Sequence, residues 1–331
     1  MKLVVSLCLV LLSVIPAIGQ TGAQTGSWVR QRAGTMAWLR SVFFLDHNRG
    51  WAVGSKGTLL KTVDGGLNWK PHAAPTTAIV RDINFLDEQN GWLVCEVNIY
   101  ELKTKEQTRA FLMRTTDGGE NWNRVELKGI DVNSALVRAV FSRGGRGWAF
   151  GEHGLIYTTR DSGETWNALV SPTRRLLLGG MFVDDDRGWI VGAGATILQT
   201  SDGGDTWYQS RLPQVERTVR FTAASFVDNR IGWAVGSGGS IYKTSNGGRT
   251  WQKQESGVDT DLLDVKFVDE REGWAVGAEG TIIHTVDGGA RWTTERSETQ
   301  HPLERVFFTD KTRGWAVGFG GTVVAYSPKA K

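Results

Sequence analysis

Apolar and polar positions alternate with a period of two in short segments along this chain. The first such segment, Trp38 to Leu45 (WLRSVFFL), is rich in aromatic and β-branched residues and ends at a polar turn. Three more short segments follow it, at Trp51 to Gly54, Thr58 to Thr62 and Asn68 to His72. Alternation between turn residues is typical of antiparallel strands. The pattern predicts four strands in about 40 residues and no helix of useful length.

This unit recurs along the chain. A Gly-Trp pair opens the second strand of each copy, and a phenylalanine stands seven residues before each of these tryptophans. Four strands repeated about every 40 residues are typical of propeller blades. We therefore predict an all-β, seven-bladed β-propeller with four-stranded antiparallel blades. The Gly-Trp tryptophans are Trp51, Trp92, Trp148, Trp189, Trp233, Trp274 and Trp315.

The two ends of the chain share one repeat. The last copy stops after its third strand, whereas the other copies continue into a fourth strand marked by a tryptophan. Trp28 precedes Trp51 by 23 residues, which is the spacing between the same two strands in the complete repeats next to it. We therefore expect residues 27–32 to pair with residues 322–326, so that the N-terminal strand completes the C-terminal blade. Such closure leaves no open sheet edge.

The turn before each fourth strand carries the phrase Thr-x-Asp-x-Gly-x-x-Trp, which resembles the Asp-box of the bacterial neuraminidase repeat. The carboxylate can accept backbone N–H groups, the glycine supplies a positive φ, and the tryptophan packs inward. Calcium or catalysis is the alternative, but one carboxylate per turn provides too few oxygens for calcium. We predict structural turns and no metal site, with the key positions at Asp64, Asp117, Asp161, Asp202, Asn246 and Asp287.

The N-terminus has the features of an export signal. An apolar segment from Leu3 to Ile18 is followed by a small-x-small sequence. We predict a signal peptide over residues 1–19 and a single propeller domain over residues 20–331; a short membrane anchor is the alternative. After removal of the signal, Cys95 is the only cysteine. We expect it to be a buried, inert thiol, since it lies among apolar strand residues.

The formal net charge of +3 is too small to indicate binding to nucleic acid or to a membrane surface. Arginine supplies most of the positive charge and favours contacts with carboxylates and peptides. Arginines crowd the starts of the first strands, which line the channel of a propeller. A guanidinium ring there could bind a peptide; scattered surface arginine is the alternative. The candidate partner-binding residues are Arg40, Arg81, Arg138, Arg175, Arg220 and Arg305, of which the first two lie one residue out of phase with Arg138 and Arg305.

Variation in repeat length falls on one predicted face. The second repeat has 12 extra residues between its second and third strands, within 96–109, and two links between blades are three residues longer than the others. In an antiparallel blade these segments share a face, and the Asp-box turns lie on the other. Insertions confined to one face are typical of a binding surface in repeat proteins.

The repeat set from Trp28 to Tyr326 resembles the photosystem II stability/assembly factor family. The resemblance is carried by the seven Gly-Trp strands, by the Asp-boxes joined to them and by the export signal. It implies a seven-bladed propeller that has no enzymatic activity and binds a newly made reaction-centre protein in the lumen or periplasm. It also implies an arginine-rich surface for that partner.

We therefore predict an exported, non-enzymatic scaffold that binds a protein or peptide, with a membrane-protein segment as one candidate. We expect a monomer without cofactor, without nucleic acid and without a membrane span after signal removal. It would reside in the periplasm, outside the cell, or in the thylakoid lumen of a photosynthetic host. The alternative is a carbohydrate-active or glycan-binding Asp-box propeller, similar to sialidases or xyloglucanases. A sialidase needs an arginine triad and an acidic proton donor, and its typical Arg-Ile-Pro phrase is absent from the sequence.

Overall fold

The computed structural model describes residues 26–102, 104, 107–127, 129, 133–142, 144–212 and 218–328. The predicted signal peptide lies outside these residues, so the signal and its removal remain predictions. None of the described helices is long and apolar enough to cross a bilayer.

The described chain forms 28 strands and six single-turn 3₁₀ helices. The 3₁₀ helices are Ser55–Gly57, Ile99–Glu101, Glu152–Gly154, Ser237–Gly239, Ala278–Gly280 and Phe319–Gly321. The strands are β1 Gly26–Arg32, β2 Leu39–Phe44, β3 Gly50–Gly54, β4 Leu59–Thr62, β5 Lys70–Pro71, β6 Ile79–Phe85, β7 Gly91–Glu96, β8 Ala110–Thr115, β9 Asn123–Val125, β10 Leu136–Phe141, β11 Gly147–Gly151, β12 Ile156–Thr159, β13 Asn167–Leu169, β14 Leu177–Phe182, β15 Gly188–Gly192, β16 Thr196–Thr200, β17 Tyr208–Gln209, β18 Phe221–Phe226, β19 Gly232–Gly236, β20 Ile241–Thr244, β21 Gln252–Gln254, β22 Leu262–Phe267, β23 Gly273–Gly277, β24 Ile282–Thr285, β25 Thr293–Glu295, β26 Leu303–Asp310, β27 Arg313–Gly318 and β28 Thr322–Pro328.

These strands form seven four-stranded antiparallel sheets, which are the blades of a ring. Blades 1 to 6 take four consecutive strands each, from β2–β5 to β22–β25, and blade 7 contains β26, β27, β28 and β1. The first strand of every blade packs against the first strands of the two neighbouring blades, including those of blades 7 and 1. The predicted all-β, seven-bladed propeller is confirmed.

The outer strand of blade 7 comes from the N-terminal end of the described chain. Strand β1 runs antiparallel to β28 over its whole length, from Gly26 opposite Pro328 to Arg32 opposite Thr322. Trp28 on this strand is 2% exposed. Its ring meets Phe308 edge-on with 5.8 Å between centroids, which is the contact that Asp-box tryptophans make in the other blades. Both ends of the propeller therefore belong to one sheet.

A repeated group of three aromatic rings packs between the blades. Phe182 stacks on Trp148 of the preceding blade at 3.3 Å, and Trp207 of its own blade meets Phe182 edge-on at 5.9 Å. The same stacking joins the last blade to the first, where Phe44 lies 3.5 Å from Trp315. Buried aromatic rings contribute large apolar areas. The interfaces between blades are therefore the hydrophobic core of this protein.

The glycine of each Gly-Trp pair is required by this packing. A Cβ atom added at Gly50 would lie 2.5 Å from the ring of Phe44. The strand can therefore pass close to the phenylalanine only where a side chain is missing. This explains why the second strand of each blade has glycine, which has no side chain, directly before the large tryptophan.

The antiparallel order of the strands divides the turns between two faces. The link face carries the links between blades and the turns between second and third strands, such as residues 55–57. The Asp-box face carries the turns between first and second strands, such as residues 45–49, and the Asp-box turns. The inserted segment of blade 2 runs from the end of β7 at Glu96 to the start of β8 at Ala110 and lies on the link face.

Candidate partner-binding surface

The Asp-box turns are held by one set of local hydrogen bonds. In the first turn, the hydroxyl of Thr62 donates to Asp64 at 2.8 Å and accepts from the backbone N–H of Gly66 at 2.9 Å. Asp64 also accepts from the backbone N–H of Asn68 at 2.9 Å. The corresponding bonds recur at Asp117, Asp161, Asp202, Asn246 and Asp287.

These bonds occupy the Asp-box carboxylates within their own turns. Hydrogen bonds, first from the backbone N–H of Asn121, lower the pKa of Asp117 to about 2. No group of three or more His, Cys, Asp and Glu residues is arranged to hold a metal among the described residues. Cys95 is fully buried in β7, and burial raises the pKa of its thiol to about 12.

The six candidate arginines all lie near the starts of first strands, towards the link face. They differ in what surrounds them. Four lie within a first strand and two shortly before one. The first four are Arg40, Arg81, Arg138 and Arg305; the other two are Arg175 and Arg220.

Arg138 and Arg305 form ion pairs across the ring. Nη2 of Arg305 lies 2.9 Å from Oδ1 of Asp82, and Nη2 of Arg138 lies 3.4 Å from Oδ1 of Asp264. These contacts join blade 7 to blade 2 and blade 3 to blade 6, which are not neighbours. The four side chains are at most 13% exposed. We call Asp82, Arg138, Asp264 and Arg305 the central charge network.

Further hydrogen bonds hold the two aspartates in place. Asp82 accepts from the hydroxyl of Ser41 at 2.7 Å and from the backbone N–H of Ala139 at 3.2 Å. Asp264 accepts from the backbone N–H of Val306 at 3.0 Å. Burial nevertheless raises the pKa of Asp82 and raises that of Asp264 to about 6, because the loss of solvent outweighs the attraction of nearby Arg138.

The central charge network occupies one position of the repeat. Each of its residues stands ten places before a Gly-Trp tryptophan. The two arginines are among the residues predicted from the sequence, whereas Asp82 and Asp264 are not. A comparison of the repeats at this position, which shows two acids and two bases, could have found them.

Arg40 lies at the junction of blades 7 and 1. Its guanidinium carbon lies 3.6 Å from the ring centre of Trp38, and its Nη1 lies 3.3 Å from Oε1 of Glu304. The indole N–H of Trp38 donates to the same carboxylate at 2.8 Å. Trp38, which belongs to no repeated motif, therefore orients Arg40 and Glu304.

Arg81 lies beside the inserted segment of blade 2. Glu96, whose side chain is only 4% exposed, pairs with Arg81 on one side and with Arg109 on the other. Arg109 also lies 2.9 Å from Glu152 of blade 3. One buried carboxylate therefore fastens both ends of the insertion to the first strand of the blade.

Arg175 and Arg220 are the two exposed members of the set. Arg220 lies 3.1 Å from Asp261, but this pair is 49% and 40% exposed, so water screens it strongly. Arg175 lies against Gly194 and forms no ion pair within the described part of the chain. The six arginines thus do not form one free ring: five pair with carboxylates within or between blades, and two, Arg175 and Arg220, are exposed.

The chain matches the model of a family described as photosynthesis system II assembly factor YCF48 over residues 68–176, 166–257 and 254–327. The photosystem II stability/assembly factor HCF136, chloroplastic, of Arabidopsis thaliana is 27% identical over 131 residues. This match covers 38% of this chain and 29% of that protein, so the chain matches less than a third of the relative's length.

Solved structures have the same architecture. YCF48 from Cyanidioschyzon merolae superimposes with a TM-score of 0.73 at 22% identity, over 91% of this chain and 99% of that chain. A structure of YCF48 bound to D1 peptide gives a TM-score of 0.74 at 21% identity, over 94% of this chain and 97% of that chain. At these identities the similarity shows the fold alone.

Proposed function

Because the chain belongs to the photosynthesis system II assembly factor YCF48 family, we propose that it is a non-enzymatic scaffold that binds an extended protein segment on its link face. One solved member of the family is bound to D1 peptide, which supports a peptide partner for this chain. The partner would be a newly made membrane protein. The scaffold would work after export, in the periplasm, outside the cell, or in the thylakoid lumen of a photosynthetic host.

The observation that carries this proposal is the exposure of Arg175 and Arg220 on the face that holds the blade 2 insertion. A guanidinium group donates hydrogen bonds in a planar fork, which suits side-chain carboxylates and backbone carbonyls. The described part of the insertion, which includes the 3₁₀ turn Ile99–Glu101, lies on the same face. An extended segment lying across the link face would meet both.

The other four candidate arginines lie at different depths below the link face. Arg40 and Arg81 have side chains that are 20% and 29% exposed, so part of each guanidinium group can reach a bound segment. Arg138 and Arg305 lie deeper, where Asp82 and Asp264 already engage them. The partner would contact the first pair directly and meet the second pair only at the floor of the surface.

Paired substitutions test this assignment. Replacement of Arg175 and Arg220 by alanine should weaken capture of a cross-linked partner from detergent-solubilised membranes of the host by about tenfold, because charge-assisted hydrogen bonds are lost. Replacement of Arg271 and Arg313, which lie on the Asp-box face, removes the same charge and should leave capture unchanged. Both variants should unfold like the wild type, since all four residues are exposed.

Two results would contradict the proposal. Equal capture by both variants would show that the link face is not the binding surface. Hydrolysis of a sialoside or of xyloglucan by the purified protein would show that it is an enzyme rather than a scaffold.

A further inference from the structure

A cavity of 580 Å³ lies on the Asp-box face between blades 4 and 5. Three arginines line it, Arg187, Arg230 and Arg249, and none of its lining residues is acidic. Tyr208 lies at its outer side and is 61% exposed. We call this cavity the blade 4–5 groove. It is formed by the opposite face from the surface proposed above to bind a partner.

Ion pairs cross the three preceding blade junctions on this face. In each, a basic side chain on or just after the third strand of one blade pairs with an acidic side chain in the Asp-box turn of the next blade. The pairs are Lys61 with Glu120 at 2.8 Å, Arg114 with Glu164 at 3.3 Å, and Arg160 with Asp205.

The junction between blades 4 and 5 departs from this pattern. The turn position that is acidic in blades 2, 3 and 4 is occupied by Arg249 in blade 5. On the blade 4 side, Gln199 and Ser201 replace the basic residues. The same turn also has Asn246 where the other Asp-boxes have aspartate. Two negative charges have thus been lost from the turn and one positive charge gained.

The charge introduced here is not balanced nearby. Arg187 lies 3.6 Å from Asp184, but Arg230 and Arg249 are exposed and form no ion pair with any described residue. Asp228 accepts the backbone N–H of Arg230 at 2.8 Å and so stabilises its own turn. The groove therefore presents two uncompensated guanidinium groups beside an aromatic ring.

We propose that the blade 4–5 groove binds an acidic side chain of a second protein, so that this face is a separate interaction surface. At the preceding junctions the cation is neutralised by a Glu or Asp carboxylate of the next blade. Here the cation is Arg249 in the turn itself, and a carboxylate that neutralises it would come from a second protein. Two guanidinium groups can hold one carboxylate by charge-assisted hydrogen bonds. Exposed Tyr208 adds aromatic contact area, and tyrosine and arginine are enriched among the residues that dominate protein interfaces.

Fluorescence anisotropy with a labelled glutamate-rich peptide tests the proposal. The peptide should bind the wild type at low salt, and the same peptide with glutamine for glutamate should not. The double variant Arg230→Ala, Arg249→Ala should bind at least about tenfold more weakly. The matched control is Arg271→Ala, Arg291→Ala, which removes the same charge from the same face outside the groove and should bind like the wild type.

A single substitution tests whether the site depends on the replacement of an acidic turn residue by Arg249. Arg249→Glu places a carboxylate where blades 2 and 3 have Glu120 and Glu164. It should abolish binding of the peptide while the unfolding midpoint stays unchanged.

Three results would overturn the proposal. The first is an equal loss of binding in both double variants, which would indicate general charge attraction only. The second is failure of the wild type to bind the peptide. The third is tighter binding of oligogalacturonate than of the peptide, which would assign the groove to a sugar acid. Binding of the peptide should persist in the Arg175→Ala, Arg220→Ala variant, which separates the groove from the link face.

Discussion

Burial and charge oppose each other at Asp264. Its carboxyl group has a pKa of about 6 in the folded protein, because burial disfavours the ionised form. The pKa of an unfolded aspartate is about 3.9. Between these values the folded state holds a proton that the unfolded state has lost, so stability falls as the pH rises from about 4 to 6. Asp82 acts in the same direction.

The substitution Asp264→Asn removes this titration. The free energy of unfolding of the variant minus that of the wild type should therefore rise by about 3 kcal/mol between pH 4 and pH 7. This is the amount expected for a shift of about two pKa units. Urea unfolding at a series of pH values measures this difference.

A surface carboxylate provides the control, because its pKa shift has the opposite sign. Hydrogen bonds hold the pKa of Asp117 at about 2, so it stabilises the fold above the unfolded value and loses that effect as the pH falls from about 4 to 2. Asp117→Asn should therefore change the profile only below about pH 4. A difference between Asp264→Asn and wild type that is independent of pH would contradict the assignment.

At the scale of residues, the sequence indicated which residue types matter better than it indicated which residues pair with each other. Arg138 and Arg305 could be predicted because arginines crowd the starts of the first strands. The motifs did not reveal Asp82 and Asp264, since isolated aspartates in strands match no motif. Their contacts cross the ring between non-adjacent blades, and that distance is set by closure rather than by local sequence.

At the scale of single elements, the anchoring of β1 depends on the side chain of Trp28. Trp28 packs against Phe308 and lies 5.4 Å from Tyr326, and its indole N–H donates to Glu295 of blade 6 at 2.8 Å. It therefore fastens β1 both to its own blade and to the preceding one. Without this anchor, β28 would become an open sheet edge.

Trp28→Ala should destabilise the protein by about 3–5 kcal/mol, the usual cost of removing a buried large aromatic side chain. Val29→Ala on the same strand is the control and should cost less than about 1 kcal/mol, because Val29 is 56% exposed. Chemical denaturation measures both values. If the two variants were equally stable, β1 would not hold the ring closed.

The alternation of apolar residues predicted most strands, but packing decided where they begin and end. The fourth strand of blade 1 was expected over residues 68–72 and is reduced to Lys70–Pro71, because the backbone N–H of Asn68 donates to Asp64 within the Asp-box turn. The first strand begins at Leu39 rather than Trp38. Trp38 stacks on Arg40 instead, and a period-two pattern cannot reveal that contact.

For the molecule as a whole, closure of the ring separates the two proposed interaction surfaces. The link face carries the insertion and the exposed arginines, and the Asp-box face carries the blade 4–5 groove. Every blade runs between the two faces, so a partner on one face need not cover the other. The scaffold proposed here could therefore bind two protein segments at once, and the variants described above would affect them separately.

Because the two ends of the chain share one sheet, we predict that they can be joined and that new chain ends can be placed elsewhere. Tyr326 and Trp28 lie opposite each other in the pairing of β28 and β1, as the ends of an Asp-box hairpin do in the other blades. A circular permutant can join them with a copy of residues 63–68, the turn of blade 1. New ends can be placed between Tyr100, which is 93% exposed, and Glu101 in the link-face insertion. The resulting chain keeps all seven interfaces between blades.

This permutant should retain the near-UV circular dichroism of the wild type and unfold within about 2 kcal/mol of it, because a short turn is closed while the longer blade 2 insertion is opened, and the entropy of loop closure changes only slowly with loop length. A permutant with its ends between Gly118 and Gly119 is the control. It interrupts the Asp-box turn in which Gly119 donates to Thr115 at 2.9 Å, and it should be less stable. If the first permutant failed to unfold cooperatively, the pairing of the chain ends would not be sufficient to define the seventh blade, and the covalent order of the strands would be essential to the ring.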